Sequence, residues 1–269
     1  MKLTMSYFSA TVAEINRNIT ENLLYCGPAL IADESTLKHT IELVTQIITK
    51  KHICQMEFDD DDDVDVDETS EADWAVIGTA LDVVTGLAAA LGPSFAQIWK
   101  AFEKPILRYV SSSESLERSA AVGALAECIN GMGEEVTPFT ATFLRLLVHR
   151  LADEDPQTKS NAAYGTGRLI EKSDAADVVL KDYPVILTRL EPCVEMNVSR
   201  LQDNASGCLS RMILKHRESV PIKEVLPVLV TILPLKNDYE ENDPVYRMIC
   251  QMCKCSASLD LSAVKKECS

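Results

Sequence analysis

Two short segments hold residues whose types and spacing could do chemistry. In "NAAYGTGRLI", Asn161, Tyr164 and Arg168 stand three and four apart, so a helix would set them on one face. In "NASGCLSRMI", Asn204, Gly207 and Arg211 repeat that pattern at an offset of 43. At an offset of 41 in the other direction, Glu127 corresponds to Arg168 and Gly123 to Tyr164. Further on, "KNDYEENDP" supplies Glu240 and Glu241 just ahead of another helical stretch.

If these segments are stacked helices, equivalent positions recur about 10 Å apart along one surface. The stripe then combines amides, an aromatic ring, carboxylates and glycines that leave room. Such a surface suits an extended peptide carrying lysine. An ammonium offers three donors to carboxylate and amide oxygens, and a tyrosine face attracts its charge. Asn161 and Asn204 can both donate to and accept from an extended backbone, which fixes register with little regard to sequence. The same residues have plainer uses. Asn161 and Asn204 could cap or bridge neighbouring helices, and Glu240 and Glu241 could be first-turn acids that favour a helix N-terminus.

The elements that must position these side chains are helical almost throughout. Apolar residues recur at helical spacing, as in Leu116, Ala121, Leu125 and Cys128, and strict alternation is absent. Helix-start signals recur with a period of about 42 residues. They are Glu71 to Asp73, Ser113-Glu114, Asp153 to Pro156, Asn197 to Ser199, and Asn242 to Pro244. Two helices per period is the signature of a HEAT-type repeat. The expected fold is therefore all-α, a HEAT-repeat α-solenoid of about five helical pairs with one preceding helix. The first helices are expected at 34–56, 93–110, 136–151, 182–196 and 222–235. Their partners are expected at 72–91, 114–131, 155–171, 199–217 and 242–256, and the preceding helix at 3–25. Nothing in the composition divides residues 1–269 into more than one domain.

The charge is concentrated. The chain carries 41 acids against 26 bases, a net charge of -15, and residues 57–73 hold eleven of those acids. Without them the balance is ordinary for a globular chain. The run "EFDDDDDVDVDETSEADW" falls inside the first complete pair, so residues 57–72 are expected as an acidic disordered loop. Such a loop could stand alone in solvent or attract basic partners electrostatically. As a calcium loop it fails, because Val66 stands where the sharp turn needs Gly, and Ala72 where a bidentate Glu belongs.

Other chemistries find no support. The cysteines and the four histidines (His39, His52, His149 and His216) do not assemble metal-ligand spacings, and Cys250, Cys253 and Cys255 lack a second pair nearby. The thiols sit in apolar helical patterns, as expected of a reducing compartment. No nucleophile elbow or phosphate loop is present, since Gly165-Thr166-Gly167 falls within a helix. Dispersed basic residues argue against nucleic acid. The apolar stretch from Asp82 is interrupted by Gly92-Pro93, and the N-terminal segment lacks a signal-peptide pattern, so neither a membrane span nor export is expected. The expectation is a non-enzymatic, monomeric chain without cofactor or metal.

At this point a family resemblance enters. "DWAVIGTALDVVTGLAAALGPSF", "LADEDPQTKSNAAYGTGRLI", "DNASGCLSRMI" and "VLPVLVTILPLKNDYEENDPVYR" resemble the C-terminal repeats of the importin-β (karyopherin-β) family, in its importin-4 group and fungal counterpart. The resemblance spans about residues 20 to 256. It implies the C-terminal part of a receptor that shuttles between cytoplasm and nucleus with basic cargo. That cargo is core histones, especially the histone three and four pair, and ribosomal proteins. It further implies a lysine-binding pocket at Glu127, Tyr164, Asn204, Glu240 and Glu241. The family's Ran GTPase contacts belong mainly to N-terminal repeats, and its nucleoporin contacts to the full-length receptor, so neither Ran binding nor full transport is expected of this segment. The alternative is a scaffold joining protein subunits without a cationic-peptide site.

Overall fold

The computed structural model describes residues 2–55 and 71–255. Among them, eleven α-helices and short 3-10 turns make up the regular structure. Two compact units cover the chain, Met1–Glu135 and Val136–Ser269.

The first unit contains α1 (Lys2–Cys26), α2 (Glu34–Ile48), α3 (Glu71–Leu91), α4 (Phe95–Val110) and α5 (Ser115–Met132). Helices α1, α3 and α5 pack side by side, and α2 and α4 form a second layer against them. Helix α4 shows why. Phe95, Trp99, Phe102 and Ile106 repeat at helical spacing and are all fully buried, with Phe95 stacked on Phe102 at 6.2 Å. Each such side chain removed from water contributes about 1.5–3 kcal/mol. Tyr109 closes the layer, donating its hydroxyl to the Ile48 carbonyl at 3.0 Å. Helices α3 and α5 approach so closely that a Cβ at Gly131 would lie 2.6 Å from the Ala88 carbonyl oxygen.

The stretch Asp73–Val110 is long and apolar enough to cross a membrane by composition alone, against the reading above. It spans α3 and α4 with a 3-10 turn at Gly92–Ser94 between them. Its apolar residues, including Val76, Ile77, Val83, Val84 and Leu87, are buried within the protein.

The second unit contains α6 (Thr140–Arg150), α7 (Pro156–Lys172), α8 (Ala176–Glu195), α9 (Ser199–His216), α10 (Ile222–Ile232) and α11 (Asn242–Cys255). Helix α9 lies between α7 and α11, while α8 and α10 pack on its other side and α6 on α8. This is the paired, two-layer arrangement of HEAT repeats. Small residues permit it: a Cβ at Gly167 in α7 would lie 2.9 Å from the Cα of Cys208 in α9.

The start of α7 follows its sequence signal, with Asp155 accepting from the Thr158 amide at 2.8 Å and Pro156 at the first helical position. Four expected boundaries differ. Helix α2 ends at Ile48 rather than 56, because Lys50 adopts a left-handed φ of 57°. Its amide donates to the Ile47 carbonyl and that of Lys51 to the Gln46 carbonyl, a Schellman end built without glycine. Helix α6 begins at Thr140 rather than 136, because Gly133–Phe139, with Pro138 inside it, is wound as a 3-10 helix. Helix α8 begins at Ala176 rather than 182 and runs through Pro184. Helix α10 stops at Ile232 because Leu233, ahead of Pro234, is extended.

Most of the acidic loop expected at 57–72 lies outside the described residues. Its last two positions, Glu71 and Ala72, belong instead to the first turn of α3.

Candidate functional site

The second unit brings several of the expected residues into one connected set. Tyr164 and Arg168 share a face of α7, with the guanidinium carbon 5.2 Å from the ring centroid. One turn on, Arg168 donates to Glu171 at 3.2 Å, and Glu171 also accepts from Arg211 of α9 at 3.3 Å. Arg211 then grips Glu241 with both terminal nitrogens, one bond measuring 3.0 Å and the other linking Nη1 to Oε2. The chain of contacts thus runs from Tyr164 to the turn before α11.

The electrostatics follow from that geometry. Burial pushes the Glu171 carboxyl up, but Arg211, Lys172 and Arg168 outweigh it and hold the group below the usual carboxylate value. Burial dominates at Glu241 and raises its carboxyl, with the Arg211 hydrogen bonds pulling the other way. Burial would lower Arg168, yet Tyr164, Glu171 and Glu241 together hold it above its usual value.

Arg211 is 1% exposed and Glu241 fully enclosed, so their pairing is internal to the fold. A charge buried this deeply must have its partner in place. Gly207 makes the arrangement possible, because a Cβ there would overlap the Glu241 carboxylate. The room that glycine leaves is therefore filled by the protein itself.

Asn204 is also buried. It donates to Ser160 Oγ at 3.0 Å, bridging α9 to α7, while its Oδ1 is buried without a hydrogen-bond partner among the described residues. Asn161 and Tyr164 are partly exposed, and Asn161 accepts from Gln157 at 3.0 Å. Glu240 is exposed, and among the described residues no basic side chain pairs with it. Glu127 is exposed on α5, in the first unit.

One decisive residue escaped the sequence reading. Asp203 of α9 is nearly fully buried and accepts from three consecutive amides, those of Lys236, Asn237 and Asp238, at 3.1, 2.7 and 2.9 Å. It thereby fixes the segment entering the 3-10 turn Tyr239–Glu241. The available signal was an acid embedded in the apolar and small-residue run from Leu201 to Ile213. Asp203 holds the turn from one end and Arg211 from the other.

No His, Cys, Asp or Glu cluster suited to a metal is found among the described residues. Cys54, Cys128, Cys193 and Cys208 are buried thiols, and burial pushes the Cys54 thiol up to about 11. Buried thiols shifted that way are poor nucleophiles at neutral pH.

No family model matches the sequence. The chain is 40% identical over 218 residues to a Schizosaccharomyces pombe protein named probable importin subunit beta-4, covering 77% of this chain and 20% of that one. It is 29% identical over 252 residues to human importin-4, covering 89% and 23%. The chain thus spans about a fifth of the length of the curated relatives it matches. Among solved structures, the karyopherin Kap121p bound to the SUMO protease Ulp1p matches with a TM-score of 0.65 at 14% identity, covering 87% of this chain and 22% of that one. A designed armadillo repeat protein in complex with the peptide (KR)4 matches with a TM-score of 0.56 at 15% identity, covering 88% and 90%. These two likenesses establish the repeat fold.

Proposed function

Because the chain belongs to the importin-β family, we propose that it is a cargo-binding part of a nuclear import receptor and receives lysine-rich, extended segments of basic proteins. The cargo class is core histone tails, with ribosomal proteins as a further source. The receptor as a whole shuttles between cytoplasm and nucleus and is released from cargo by Ran. The proposed contact residues are Glu127, Asn161, Tyr164 and Glu240, and of the remaining expected residues Asn204 and Glu241 are enclosed and take part only by holding the surface in place.

The observation that carries this reading is the state of Glu240. The stretch Asp238–Asp243 holds four carboxylates, and three of them already have a cation from this chain. Asp238 lies 3.9 Å from Arg200, Asp243 3.3 Å from Arg247, and Glu241 is held by Arg211. Glu240 has no such partner among the described residues and stands in a turn fixed at both ends. A carboxylate on a fixed main chain offers a lysine ammonium a site at which only the side chain has still to be ordered. Asn161 and Tyr164 would then meet the peptide backbone and flank, while Glu241 and Asn204 shape the surface from beneath. The solenoid captured with (KR)4 is a precedent for a basic extended peptide on this class of fold.

A labelled histone-three tail peptide titrated into the chain tests this. Glu240→Lys should weaken binding at least tenfold, and acetylation of the anchored lysine should weaken it too, since both charge and donors are lost. Equal affinity for wild type and E240K would sink the reading.

A second reading, an apolar scaffold, is favoured by one feature. A cavity of about 270 Å³ opens between α8 and α10, lined by Leu187, Leu190, Val194, Val225 and Val228 together with Glu191 and Glu224. Salt separates the two, because capture of a cationic peptide weakens as ionic strength rises and apolar contact changes little.

A further inference from the structure

The turn that presents Glu240 presents a second side chain that the proposed contact set omits. Tyr239 is 66% exposed, a large aromatic ring in solvent. The turn that carries it is tied down at several points, so the ring stands on a main chain that is ordered before any partner arrives. The ties are the three amides on Asp203, the Glu241 amide donating to the Asp238 carbonyl at 3.2 Å, and the Arg211–Glu241 pair. Tyr239 and Glu240 are the two residues between those anchors that reach outward.

We propose that Tyr239 is a specificity-determining residue that stacks on the cationic end of a bound lysine while Glu240 accepts its hydrogen bonds. This rests on the cargo reading above and assigns one part of its chemistry. The division of labour follows from what each group can do. A carboxylate rewards charge and donors together, whereas a ring face rewards charge alone and tolerates methylation of the ammonium. Tyr239 therefore discriminates a cation from a neutral chain of the same length, and Glu240 discriminates by the number of donors.

Two of the flanking cations are paired, while Lys236 stands exposed three residues before Tyr239. Arg200 and Arg247 are each occupied by a carboxylate on either side of the turn, at Asp238 and Asp243. Neither is left to repel an incoming ammonium at full strength. The ring contributes contact area at low entropic cost, since two side-chain torsions are all that binding must fix.

The test uses the whole chain and the histone-three tail peptide in three forms, with lysine, Nε-trimethyl-lysine or norleucine at the anchored position. The variants are Tyr239→Phe, Tyr239→Leu and Glu240→Gln, each checked by melting temperature, which an exposed substitution should leave unchanged. For the lysine and trimethyl-lysine peptides, Y239L should weaken binding about two- to fivefold and Y239F should not, as expected of an exposed cation–ring contact. For the norleucine peptide, all three variants should match wild type. E240Q should weaken the lysine peptide more than the trimethylated one. If the lysine peptide binds wild type but Y239L binds it equally, the assignment of Tyr239 is wrong and the cargo reading stands. Equal losses in Y239F and Y239L would overturn it too, because the hydroxyl would then be the contact. If wild type prefers none of the three peptides, the cargo reading itself fails, and Tyr239 with it.

Discussion

Arg211 and Glu241 form a two-bonded ion pair inside the second unit, with the guanidinium 1% exposed and the carboxylate fully enclosed. Each charge is tolerable there because the other is present. Removing one partner strands the other, and the cost is the desolvation of an uncompensated ion.

Arg211→Met should therefore destabilise the chain by about 3–5 kcal/mol in urea denaturation. The double change Arg211→Met with Glu241→Leu should recover most of that loss, since an apolar pair of similar volume is often neutral or better. Gly207→Ala probes the same place sterically, because its methyl group meets the Glu241 carboxylate. It should destabilise in wild type and be milder once Glu241 is Leu or Ala. Additive effects of G207A and E241L would refute the contact.

Asp203 offers an independent handle on the same turn. Asp203→Ala leaves the amides of Lys236, Asn237 and Asp238 without their acceptor. Each buried donor left unmade costs about 1–3 kcal/mol, though water can reach part of this segment and reduce the sum. Protease cleavage near residues 236–238 should rise by an order of magnitude or so in D203A. Peptide affinity should fall along with it, because the turn that orders Glu240 has been released. Unchanged cleavage would mean that something else holds the segment.

These relationships show how far the sequence could be read. Helix α7 was legible because its cap at Asp155-Pro156 and its apolar period agree, whereas α9 was legible from its period alone, its N-cap being Val198 without a side-chain bond. The end of α2 was not, since its left-handed residue is Lys50 where a glycine would have announced it. The start of α8 was hidden by Pro184, which reads as punctuation yet lies within the helix. At the site, the repeat offset placed Asn204 and Arg211 on the helix beside that of Asn161 and Arg168, although Asn204 bonds to Ser160 and Arg211 to Glu171. It could not say which acid Arg211 would take. Glu240 and Glu241 are neighbours in a single turn, and one is exposed while the other is enclosed. That difference is set by Asp203 and Gly207, through tertiary contacts that no local pattern encodes.

His216 and Glu171 should each cost stability in acid, while Glu241 and Asp82, whose carboxyls burial raises, work the other way. His216 packs its ring edge-on to Tyr183 at 5.8 Å, and burial, with Lys215 nearby, lowers its imidazole below the ordinary value of 6.5. The unfolded chain therefore binds the proton more readily. The contribution is fully present above pH 6.5 and is lost as pH falls from there through the folded value. Glu171, held below its ordinary 4.5, behaves likewise at lower pH: its contribution is present above 4.5 and lost beneath it. Between pH 8 and 5 the urea midpoint of wild type should fall relative to that of His216→Phe, which keeps a ring on Tyr183. An equally steep slope in H216F would assign the effect to other groups.

The acid run should act on encounter rather than on the bound state. Residues 57–70 carry nine carboxylates, and α3 begins directly after them at Glu71. Exchanging those nine for Asn and Gln keeps the length of the segment and leaves the first turn of α3 intact. A block of like charge raises the arrival rate of a basic partner from a distance, and the gain is largest at low salt. Stopped-flow association of the histone-tail peptide should slow about tenfold in the neutralised chain at low ionic strength. The difference should shrink towards nothing near 1 M salt, where charges are screened beyond about 3 Å. Dissociation should stay within about twofold, because a contact made at short range belongs to Glu240 and its fixed turn rather than to the run. Glu240→Lys should show the opposite division, with most of its loss in the dissociation rate. If neutralising the run speeds dissociation as much as it slows association, the run itself grips the peptide, and the division between attraction and anchoring is wrong.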